Sequence, residues 1–489
     1  MTQIVARHQE LQALNKIYSS GKSEFLAVYG RRRVGKTFLI REFFRDKGTY
    51  FHITGVKDSP VRKQLRNFIE EFKRVFKTSP PSLPKDWQEA FSFLREAIEA
   101  LPGSQRIILF FDELPWLATH RSLFLQDLDY FWNRHASDNN RVVLIICGSA
   151  AAWMIRKIIQ HKGGLHGRLT ATIHLKPFDL SETELFLKSQ DVILDRRQII
   201  ELYMAIGGIP KYLTYVERGL SSVQIINKIC FKGPLVDEFD ELYSSLFEHH
   251  DRYVAIVRAL TKRNQGLTKT EITEATGMTS GGGLNIILED LEQSGFIMLI
   301  PDLGKTKKNL RYRLVDEYSL FYIRWIEKAK ELNIGGIDAN FWINTEGSPE
   351  LRAWAGYTFE GICMKHLGAI KETLGISGVL THTSGWLYKP EKESAEKGTQ
   401  IDLIIDRADN CINLCEIKFS NDTFTINKAY EQVLRQRKSI FIEKTGTRKT
   451  VFLTFITLYG ISKESGYFGI VDKELTMDDL FQPARIGSH

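Results

Sequence analysis

The chain has 489 residues, of which 43% are hydrophobic, so it exceeds a single hydrophobic core and can form several domains. It has 66 lysines and arginines against 59 acidic residues, and the resulting net charge of +7 permits a nucleic-acid partner without requiring one. The five cysteines show no paired CxxC spacing. This pattern predicts buried, reduced thiols instead of a disulfide framework or a zinc site.

The sequence shows no signal for a membrane. The N-terminal stretch MTQIVARHQE lacks the apolar core of a signal peptide. The longest apolar run, residues 142–146, is far too short to cross a bilayer. We therefore expect a soluble, cytoplasmic protein with no membrane partner.

A buried-strand pattern, a glycine-rich loop and a helical pattern follow one another near the N-terminus. The apolar run EFLAVY leads directly into GRRRVGKT at residues 30–37, and FLIREFF comes next. The glycines of the loop allow backbone N–H groups to surround phosphate oxygens, and Lys36 can reach the terminal phosphates. The Thr37 hydroxyl can bind Mg²⁺. This order of elements predicts a nucleotide-binding P-loop.

Two further apolar strands provide polar residues at their ends. The run at residues 107–111 ends in Asp112 and Glu113, where the aspartate would hold Mg²⁺ through water and the glutamate would orient the attacking water. The run at residues 142–146 leads to Ser149, which is either a reporter of the γ-phosphate or an ordinary cap between strand and helix. The predicted nucleotide-binding residues are Gly30, Arg31, Arg33, Val34, Gly35, Lys36, Thr37, Phe38 and Ser149.

These motifs resemble those of the archaeal-type ATPases in the STAND branch of the AAA superfamily. The resemblance rests on GRRRVGKT, FFDELPWL, CGSAAAWM, LHGRLT and GGIPKYL. It implies an ATP-hydrolysing core in which Arg168 is a finger for the γ-phosphate and the turn at residues 208–210 opens a helical lid. Residues 4–10 look like the adenine-side signature of the same family, although Ala6 stands where glycine is usual and Gln9 shifts the pattern.

The middle of the chain changes to helical patterns. An S-x-x-E box beginning at Ser181 predicts a helix start, and the helices up to about residue 240 are expected to form the lid. A winged helix-turn-helix is then predicted from helices at 253–263, 269–276 and 284–294 and strands at 296–300 and 310–314.

The charges of this winged helix argue against reading of DNA by its third helix. That helix carries Glu289, Asp290 and Glu292 and neither lysine nor arginine, so it would repel phosphate. We therefore favour a protein contact or a spacer role. The basic residues lie in the wing, which could contact a nucleic-acid backbone; they are Lys305, Lys307, Lys308, Arg311 and Arg313.

Two strand patterns near the C-terminus, at residues 401–406 and 412–419, flank a short turn. Side chains alternate along a strand, so Glu416 and Lys418 share one face. A three-residue loop with Asn410 in the left-handed conformation would place Asp402 opposite Glu416. Such a group suits phosphodiester cleavage: the two carboxylates would hold one or two Mg²⁺ ions, and the lysine would steady the attacking water or the developing charge.

This D…ExK pattern resembles the PD-(D/E)XK nuclease fold, which often follows the winged helix in the same ATPase family. The resemblance implies Glu360 as a further metal-side carboxylate, and Gln432 as a residue that orients the lysine or DNA. Gln400 stands where an acid is often found in the family. The helix of Gln432 also carries a basic edge that could follow phosphates, consisting of Lys428, Arg435, Arg437 and Lys438.

The expected fold class is α/β, with a P-loop AAA/STAND ATPase core, a helical lid, a winged helix and a C-terminal restriction-endonuclease-like α/β domain. The expected boundaries are 1–178 for the core, 179–240 for the lid, 241–320 for the winged helix, 321–341 for a helical connector and 342–489 for the nuclease-like domain. The leading hypothesis is an ATP-regulated, magnesium-dependent DNA nuclease used in DNA processing or in defence against foreign DNA. The alternative is a nucleotide-driven switch or scaffold whose C-terminal domain binds without cleaving. ATP and Mg²⁺ are the expected cofactors, DNA is the expected partner through the C-terminal domain and the wing, and a nucleotide-dependent homo-oligomer is a further expectation.

Overall fold

The computed structural model describes residues 4–119, 121–160, 165, 167–303, 310–332, 338, 340–390, 398–464, 466 and 468–482. The chain divides into two compact units, Met1–Pro177 and Phe178–His489. Three of the basic residues predicted for the wing, Lys305, Lys307 and Lys308, lie outside the described residues. Within the described ranges, every helix is too short or too polar to cross a bilayer.

A five-stranded parallel sheet forms the centre of the first unit, with the strand order β2-β3-β4-β1-β5. Its strands are β1 (Glu24–Tyr29), β2 (Thr49–Thr54), β3 (Ile107–Asp112), β4 (Val142–Gly148) and β5 (Ala171–His174). Strands β3 and β4 are buried along their whole length, because their side chains are apolar on both faces of a covered sheet. Strands β3, β4 and β1 are parallel neighbours in the sheet. The residues that follow these three strands therefore lie close together at one end of the sheet.

Seven α-helices lie in the described part of this unit, and the cores on the sheet are rich in aromatic rings. The helices are α1 (His8–Ser19), α2 (Lys36–Phe44), α3 (Val61–Phe76), α4 (Trp87–Ala100), α5 (Leu114–Leu117), α6 (Phe124–Phe131) and α7 (Ala151–Met154). Short π-helical turns at Trp132–Ala136 and Ile155–Ile159 follow α6 and α7. The ring of Trp87 packs edge-on against Phe124 at 4.7 Å, and both side chains are fully buried.

The second unit begins with five helices: α8 (Leu180–Ser189), α9 (Arg196–Ile206), α10 (Pro210–Leu213), α11 (Ser222–Phe231) and α12 (Glu238–Leu246). The prediction that Ser181 caps α8 is wrong. The N-cap is Asp179, whose side chain accepts a 2.8 Å hydrogen bond from the backbone N–H of Glu182. The Glu182 carboxylate accepts one in return from the N–H of Asp179. An overlapping D-x-x-E box two residues upstream therefore forms the capping box.

Three helices and a small antiparallel sheet come next. The helices are α13 (His250–Thr261), α14 (Lys269–Thr276) and α15 (Gly282–Gln293), and the strands are β6 (Leu267–Thr268), β7 (Ile297–Ile300) and β8 (Arg311–Leu314), in the order β6-β8-β7. Strand β6 was not predicted, because two residues are too few to show an alternating pattern. We call β7 and β8 together the ribbon.

The remainder of the second unit is a mixed five-stranded sheet with helices. The connecting helices are α16 (Glu317–Phe321) and α17 (Glu327–Leu332), with a π-helical turn at Tyr322–Ile326 between them. The elements that follow are α18 (Pro349–Lys365), α19 (Leu367–Thr373), β9 (Thr381–Tyr388), β10 (Thr399–Arg407), β11 (Cys411–Lys418), α20 (Lys428–Thr445), β12 (Thr450–Thr457), β13 (Lys473–Leu475) and α21 (Met477–Leu480). The sheet order is β13-β12-β11-β10-β9.

The register of β10 and β11 agrees with the expectation from the turn. Asn410 has a φ of 62°, and the antiparallel pairs run from Leu403↔Cys415 to Asp406↔Ile412. Continued by one residue, this register puts Asp402 opposite Glu416. On its other side β10 has an irregularity in its pairing with β9 between Ile401 and Ile404, beside Asp402. Such bulges change the direction of a side chain locally.

Candidate functional site

The glycine loop between β1 and α2 has the backbone shape of a P-loop. Gly30 has a φ of 145°, and a Cβ atom there would lie 2.1 Å from the carbonyl oxygen of Leu175. Gly35 has a φ of 92° and directly precedes α2. Both conformations favour glycine, so the two glycines of the motif are required by geometry as well as by phosphate binding. The free N–H groups at the start of α2 then point toward the loop, as an anion site needs.

Lys36 is buried at the first position of α2, with 6% of its surface exposed. Its Nζ donates hydrogen bonds of 2.9 Å to the carbonyl oxygens of Gly30 and Arg31. The ammonium group is therefore held inside the curve of the loop. At this place it can exchange carbonyl partners for phosphate oxygens without a large movement of the backbone.

Thr37 and Asp112 connect the loop to the end of β3. The Thr37 Oγ1 donates a 2.7 Å hydrogen bond to Asp112 Oδ2, and Asp112 Oδ1 accepts one of 2.9 Å from the N–H of Glu113. Burial raises the pKa of Asp112, but contacts with the side chains of His52, Thr37 and Cys147 outweigh it and hold the pKa below its usual range. An ionised carboxylate beside a hydroxyl is an oxygen donor set that fits Mg²⁺.

Glu113 is held in a strained position next to Asp112. Its φ of 49° is in the left-handed region, which is uncommon for a residue other than glycine and is often found at functional sites. Ser149 donates to Glu113 Oε2 through its hydroxyl at 2.8 Å and its backbone N–H at 3.3 Å. Burial raises the pKa of Glu113, the charge of Lys36 lowers it and that of Asp112 raises it, with a net upward shift.

The contacts of Ser149 bear on the two alternatives left open by the sequence. Helix α7 begins at Ala151, and its N-cap residue is Ala150, so Ser149 is not the cap. Ser149 instead orients the Glu113 carboxylate through two hydrogen bonds. A hydroxyl between β4 and a carboxylate at the end of β3 can respond to a ligand at the loop.

Arg7 was missed by sequence reasoning. Arg7 is 5% exposed, and its Nη2 donates a 3.2 Å hydrogen bond to the carbonyl oxygen of Val34. Ala6 and Arg7 have φ angles of 59° and 62°, which explains why glycine is usual at the position of Ala6. The segment before α1 therefore holds the glycine loop in place through the hydrogen bond from Arg7 to Val34.

Arg168 is not brought to the loop by any contact in the described part of the chain. It lies exposed in a turn before β5, and its backbone N–H donates to the carbonyl oxygen of Leu165 at 3.1 Å. Its side chain has neither an ion pair nor a hydrogen bond with a described residue. Of the other predicted residues, Val34 is buried in the loop, whereas Arg33, with a φ of 72°, and Phe38 are partly exposed.

Comparison with known proteins identifies this region. Residues 4–216 match the model of a family described as an ATPase domain predominantly from Archaea. The match includes the glycine loop, the end of β3 and Ser149. Residues 4–216 form an archaeal-type ATPase domain.

Several individual proteins are similar to parts or most of the chain that carries this ATPase domain. A protein of Methanocaldococcus jannaschii, named uncharacterized protein MJECL04, is 24% identical over 455 residues, covering 90% of this chain and 93% of that protein. The uncharacterized ATP-binding protein MJ0423 of the same organism is 44% identical over 43 residues, covering 9% of this chain and 73% of that protein. Among solved structures, the Walker-type ATPase PABY2304 of Pyrococcus abyssi has a TM-score of 0.45 at 20% identity, covering 66% of this chain and 96% of its own. The ORC2 protein of Aeropyrum pernix has a TM-score of 0.43 at 16% identity, covering 68% and 96%.

A second group of charged side chains lies outside the ATPase domain, around a cavity of about 340 Å³ at β10 and β11. Glu416 on β11 is the most buried of its carboxylates, with 8% of its surface exposed. Glu416 Oε1 lies 2.7 Å from Lys418 Nζ and accepts a 2.5 Å hydrogen bond from the Tyr430 hydroxyl, while Oε2 pairs with Arg437. Burial raises the pKa of Glu416, but attraction to Lys418 and Arg437 outweighs it, so the pKa lies below its usual range.

Asp402 on β10 faces the same cavity and is oriented by amides. Its Oδ1 accepts a hydrogen bond from the side-chain amide of Gln400, whose oxygen accepts one from Gln265. Gln265 belongs to the turn between α13 and β6, and it also lines the cavity. The glutamine at position 400 therefore holds Asp402, where an acid would have repelled it.

Glu360 on α18 is the third carboxylate of the cavity. Its Oε2 accepts a 3.1 Å hydrogen bond from Arg313 on β8. Burial and the charge of Asp402 raise the pKa of Glu360 to about 7, against the opposing charges of Arg313 and Lys418. Arg313 is 3% exposed, so it is no part of a basic surface on the ribbon, contrary to the expectation from the sequence.

The carboxylates of the cavity are suitable ligands for a metal ion, but they lie too far apart to bind one together. Carboxylate oxygens on one wall suit a hard cation such as Mg²⁺. Among the described residues, however, no three His, Cys, Asp or Glu side chains lie close enough together to hold a metal ion. Glu360, Asp402 and Glu416 instead contact cationic or amide groups. Gln432 is exposed on α20 and does not line the cavity, whereas Arg437 on the same helix does.

Proposed function

We propose that the protein binds and hydrolyses ATP with Mg²⁺ and carries a magnesium-dependent DNA nuclease domain, for DNA processing or for defence against foreign DNA. The observation that carries the nuclease part is the convergence of Asp402, Glu416 and Lys418 on one cavity, with Glu360 on its wall. These residue types, on two paired strands and a neighbouring helix, suit metal-assisted hydrolysis of a phosphodiester.

In the ATPase domain, each residue has a distinct proposed role. Backbone N–H groups of the loop and the start of α2 bind the phosphates, and Lys36 neutralises their terminal charge. Thr37 and Asp112 hold Mg²⁺, which when bound neutralises charge on the phosphates. Glu113 orients the attacking water and accepts its proton, and burial, which raises the pKa of Glu113, makes the carboxylate a stronger base. Ser149 keeps Glu113 in place, and we assign Arg168 the role of a γ-phosphate finger that moves to the site.

In the C-terminal domain, Asp402, Glu416 and Glu360 would hold Mg²⁺, which when bound polarises the scissile phosphate and its attacking water. Lys418 steadies the attacking water or the developing negative charge. Its 2.7 Å contact with Glu416 supports this role, because the carboxylate positions the ammonium at the cavity. Arg437, bound to the other oxygen of Glu416, adds positive charge for a phosphate backbone.

We propose the domain arrangement expected from the sequence, with a lid at residues 179–240, a winged helix at 241–320 and a nuclease-like domain from residue 342. The three helices and antiparallel ribbon within residues 250–314 support the winged helix. Helix α15 carries exposed acids, so DNA would contact the C-terminal domain and the wing instead of this helix. A nucleotide-dependent homo-oligomer remains part of the proposal for the ATPase domain.

One observation favours a second function, a nucleotide-driven switch or scaffold that binds without cleaving. Both oxygens of Glu416 are already paired with cations, and the described carboxylates form no three-membered metal group. A domain with this arrangement could hold a phosphate backbone through Lys418 and Arg437 and leave it intact.

Cleavage of plasmid and linear DNA separates the two functions. We expect wild type with Mg²⁺ to cleave, and Lys418→Ala to reduce the rate by roughly 10²- to 10³-fold, as expected for loss of a charge that stabilises the transition state. Lys36→Ala should still cleave DNA, but at a rate that no longer changes when ATP is added. Lys473→Ala, which removes an exposed lysine from β13 of the same sheet, is the matched control and should cleave normally. DNA binding without cleavage under any condition would support the scaffold.

A further inference from the structure

We propose that Arg313 is a positioning residue of the C-terminal metal site, so that this site is shared between the C-terminal sheet and the ribbon that precedes it. The inference rests on the proposed nuclease function and adds to it the requirement for a second part of the chain. Neither the glycine loop nor the D…ExK pattern points to this residue, because its partners are far away in sequence: Glu360 is separated from it by 47 residues.

Arg313 is fixed by contacts on three sides. Its Nη2 donates to the carbonyl oxygen of Tyr357 at 2.8 Å and to Glu360 Oε2 at 3.1 Å. Its guanidinium carbon lies 4.2 Å from the centre of the Tyr357 ring, and its Nη1 is 3.9 Å from Met364 Sδ. All three partners belong to α18. A planar guanidinium that both stacks and donates can define a direction for the carboxylate, which a single ammonium cannot do as well.

The contact leaves Glu360 able to bind a cation. Arg313 uses only Oε2, and no described residue donates to Oε1. Glu360 also lines the cavity that contains Asp402 and Glu416. A carboxylate held on one oxygen by a fixed donor and open on the other matches the arrangement of metal ligands with an outer partner.

A second contact from the same part of the chain reaches the second carboxylate. The Gln265 side chain donates to Gln400, and the Gln400 amide donates to Asp402 Oδ1. Arg313 therefore orients Glu360 directly, and Gln265 orients Asp402 through the amide of Gln400. This agreement between independent contacts argues against a fortuitous ion pair.

The segment that directly follows β7 of the ribbon is hydrogen-bonded through its backbone to the C-terminal sheet. The N–H of Gly385 on β9 donates to the carbonyl oxygen of Pro301 at 3.0 Å. The N–H of Leu303 donates to the carbonyl oxygen of Gly385 at 2.9 Å. Arg313 thus reaches α18 from a strand pair that is itself docked on the sheet.

Binding of Mn²⁺ in the absence of nucleotide, followed by electron paramagnetic resonance, tests the proposal in the full chain together with DNA cleavage. We expect Arg313→Met to weaken Mn²⁺ binding by about 10- to 100-fold, the range found when partners of metal ligands are removed. The Mg²⁺ concentration required for half-maximal cleavage should rise by a similar factor. Arg313→Lys should recover part of the loss. Arg324→Met, which removes an exposed arginine that pairs with Glu350 at the start of α18, is the control and should bind Mn²⁺ as wild type does.

Because Arg313 is buried, thermal unfolding of each variant is measured first, and Gln265→Ala provides a second test at an exposed side chain that leaves the core intact. We expect Gln265→Ala to weaken Mn²⁺ binding severalfold. Wild-type Mn²⁺ binding and cleavage that persist unchanged in folded Arg313→Met and in Gln265→Ala overturn this inference alone. Tighter binding or faster cleavage in Arg313→Met also overturns it, since Arg313 would then block the site. Absence of Mn²⁺ binding and cleavage in wild type overturns the proposed nuclease and this inference with it.

Discussion

The Thr37 hydroxyl donates a 2.7 Å hydrogen bond to Asp112, which joins the glycine loop to the end of β3 across 75 residues of sequence. With Lys36 buried beside them, these residues form one polar group at the end of the parallel sheet.

Replacement of Lys36 should weaken nucleotide binding. We expect Lys36→Ala to weaken ATP binding roughly 10- to 100-fold, because a hydrogen bond to a charged group contributes about 1.5–3 kcal/mol. Titration with a fluorescent ATP analogue measures the effect. Lys16→Ala, which removes an exposed lysine from α1, should bind ATP as wild type does. Equal affinity in Lys36→Ala and wild type would contradict the assignment of the loop.

Replacement of Glu113 should separate hydrolysis from binding. We expect Glu113→Gln to keep the affinity for ATP and to slow hydrolysis by roughly 10²- to 10⁴-fold, the contribution of a positioned base. Ser149→Ala should slow hydrolysis less, because Glu113 is retained but loses the 2.8 Å hydrogen bond that orients it. Phosphate release under saturating ATP is the measurement. A larger defect in Ser149→Ala than in Glu113→Gln would show that the serine acts on the nucleotide directly.

Ala6→Gly should stabilise the protein. Ala6 has a φ of 59°, where a Cβ costs about 1–2 kcal/mol and glycine costs less, although the unfolded chain gains freedom. We expect the free energy of unfolding to rise by roughly 0.5–1 kcal/mol. Urea-induced unfolding measures it, with Ala100→Gly in α4 as a control that should be destabilising. Destabilisation by Ala6→Gly would show that contacts of the Ala6 methyl group contribute more free energy than the backbone strain costs.

The second unit should become less stable in mild acid through His366. Burial lowers the pKa of His366, whose Nε2 accepts a 3.0 Å hydrogen bond from the N–H of Leu180. A histidine whose folded pKa lies below its unfolded value of about 6.5 contributes stability that is complete above that value and is lost as the pH falls. We expect the melting temperature to fall as the pH drops below about 6.5. In His366→Gln, whose amide oxygen can accept the same bond, this fall should be smaller; an equal fall would assign it to other groups.

Much of the architecture could be predicted because its signals are local. The glycine loop, the carboxylates after β3 and the turn at Asn410 each depend on neighbouring residues, and the turn alone was enough for the register of β10 and β11. The cap of α8 was predicted wrongly, because two capping-box patterns overlap in the sequence and the one that begins at Asp179 is the one that forms.

The site residues that were missed act over long sequence distances. Arg7 contacts Val34 across 27 residues. Arg437 was predicted as part of a basic edge, but its pairing with Glu416, 21 residues away, was not predicted. Arginines are common on surfaces, so sequence alone gives no reason to place one of them against a particular carbonyl or carboxylate. A weak signal existed for Arg7, since the turn before α1 resembled a family signature that includes this arginine.

The pairing of Gly385 with the ribbon also matters for any shortened form of this protein. Strand β9 is the last in its sheet, and residues 301–303, which directly follow β7 of the ribbon, pair with its backbone at Gly385. A fragment that begins after Leu314 would expose the N–H and C=O groups of an edge strand, which recruit strands from other molecules. Self-association of such a fragment would therefore report the loss of this cover and not an intrinsic tendency of the intact chain to assemble.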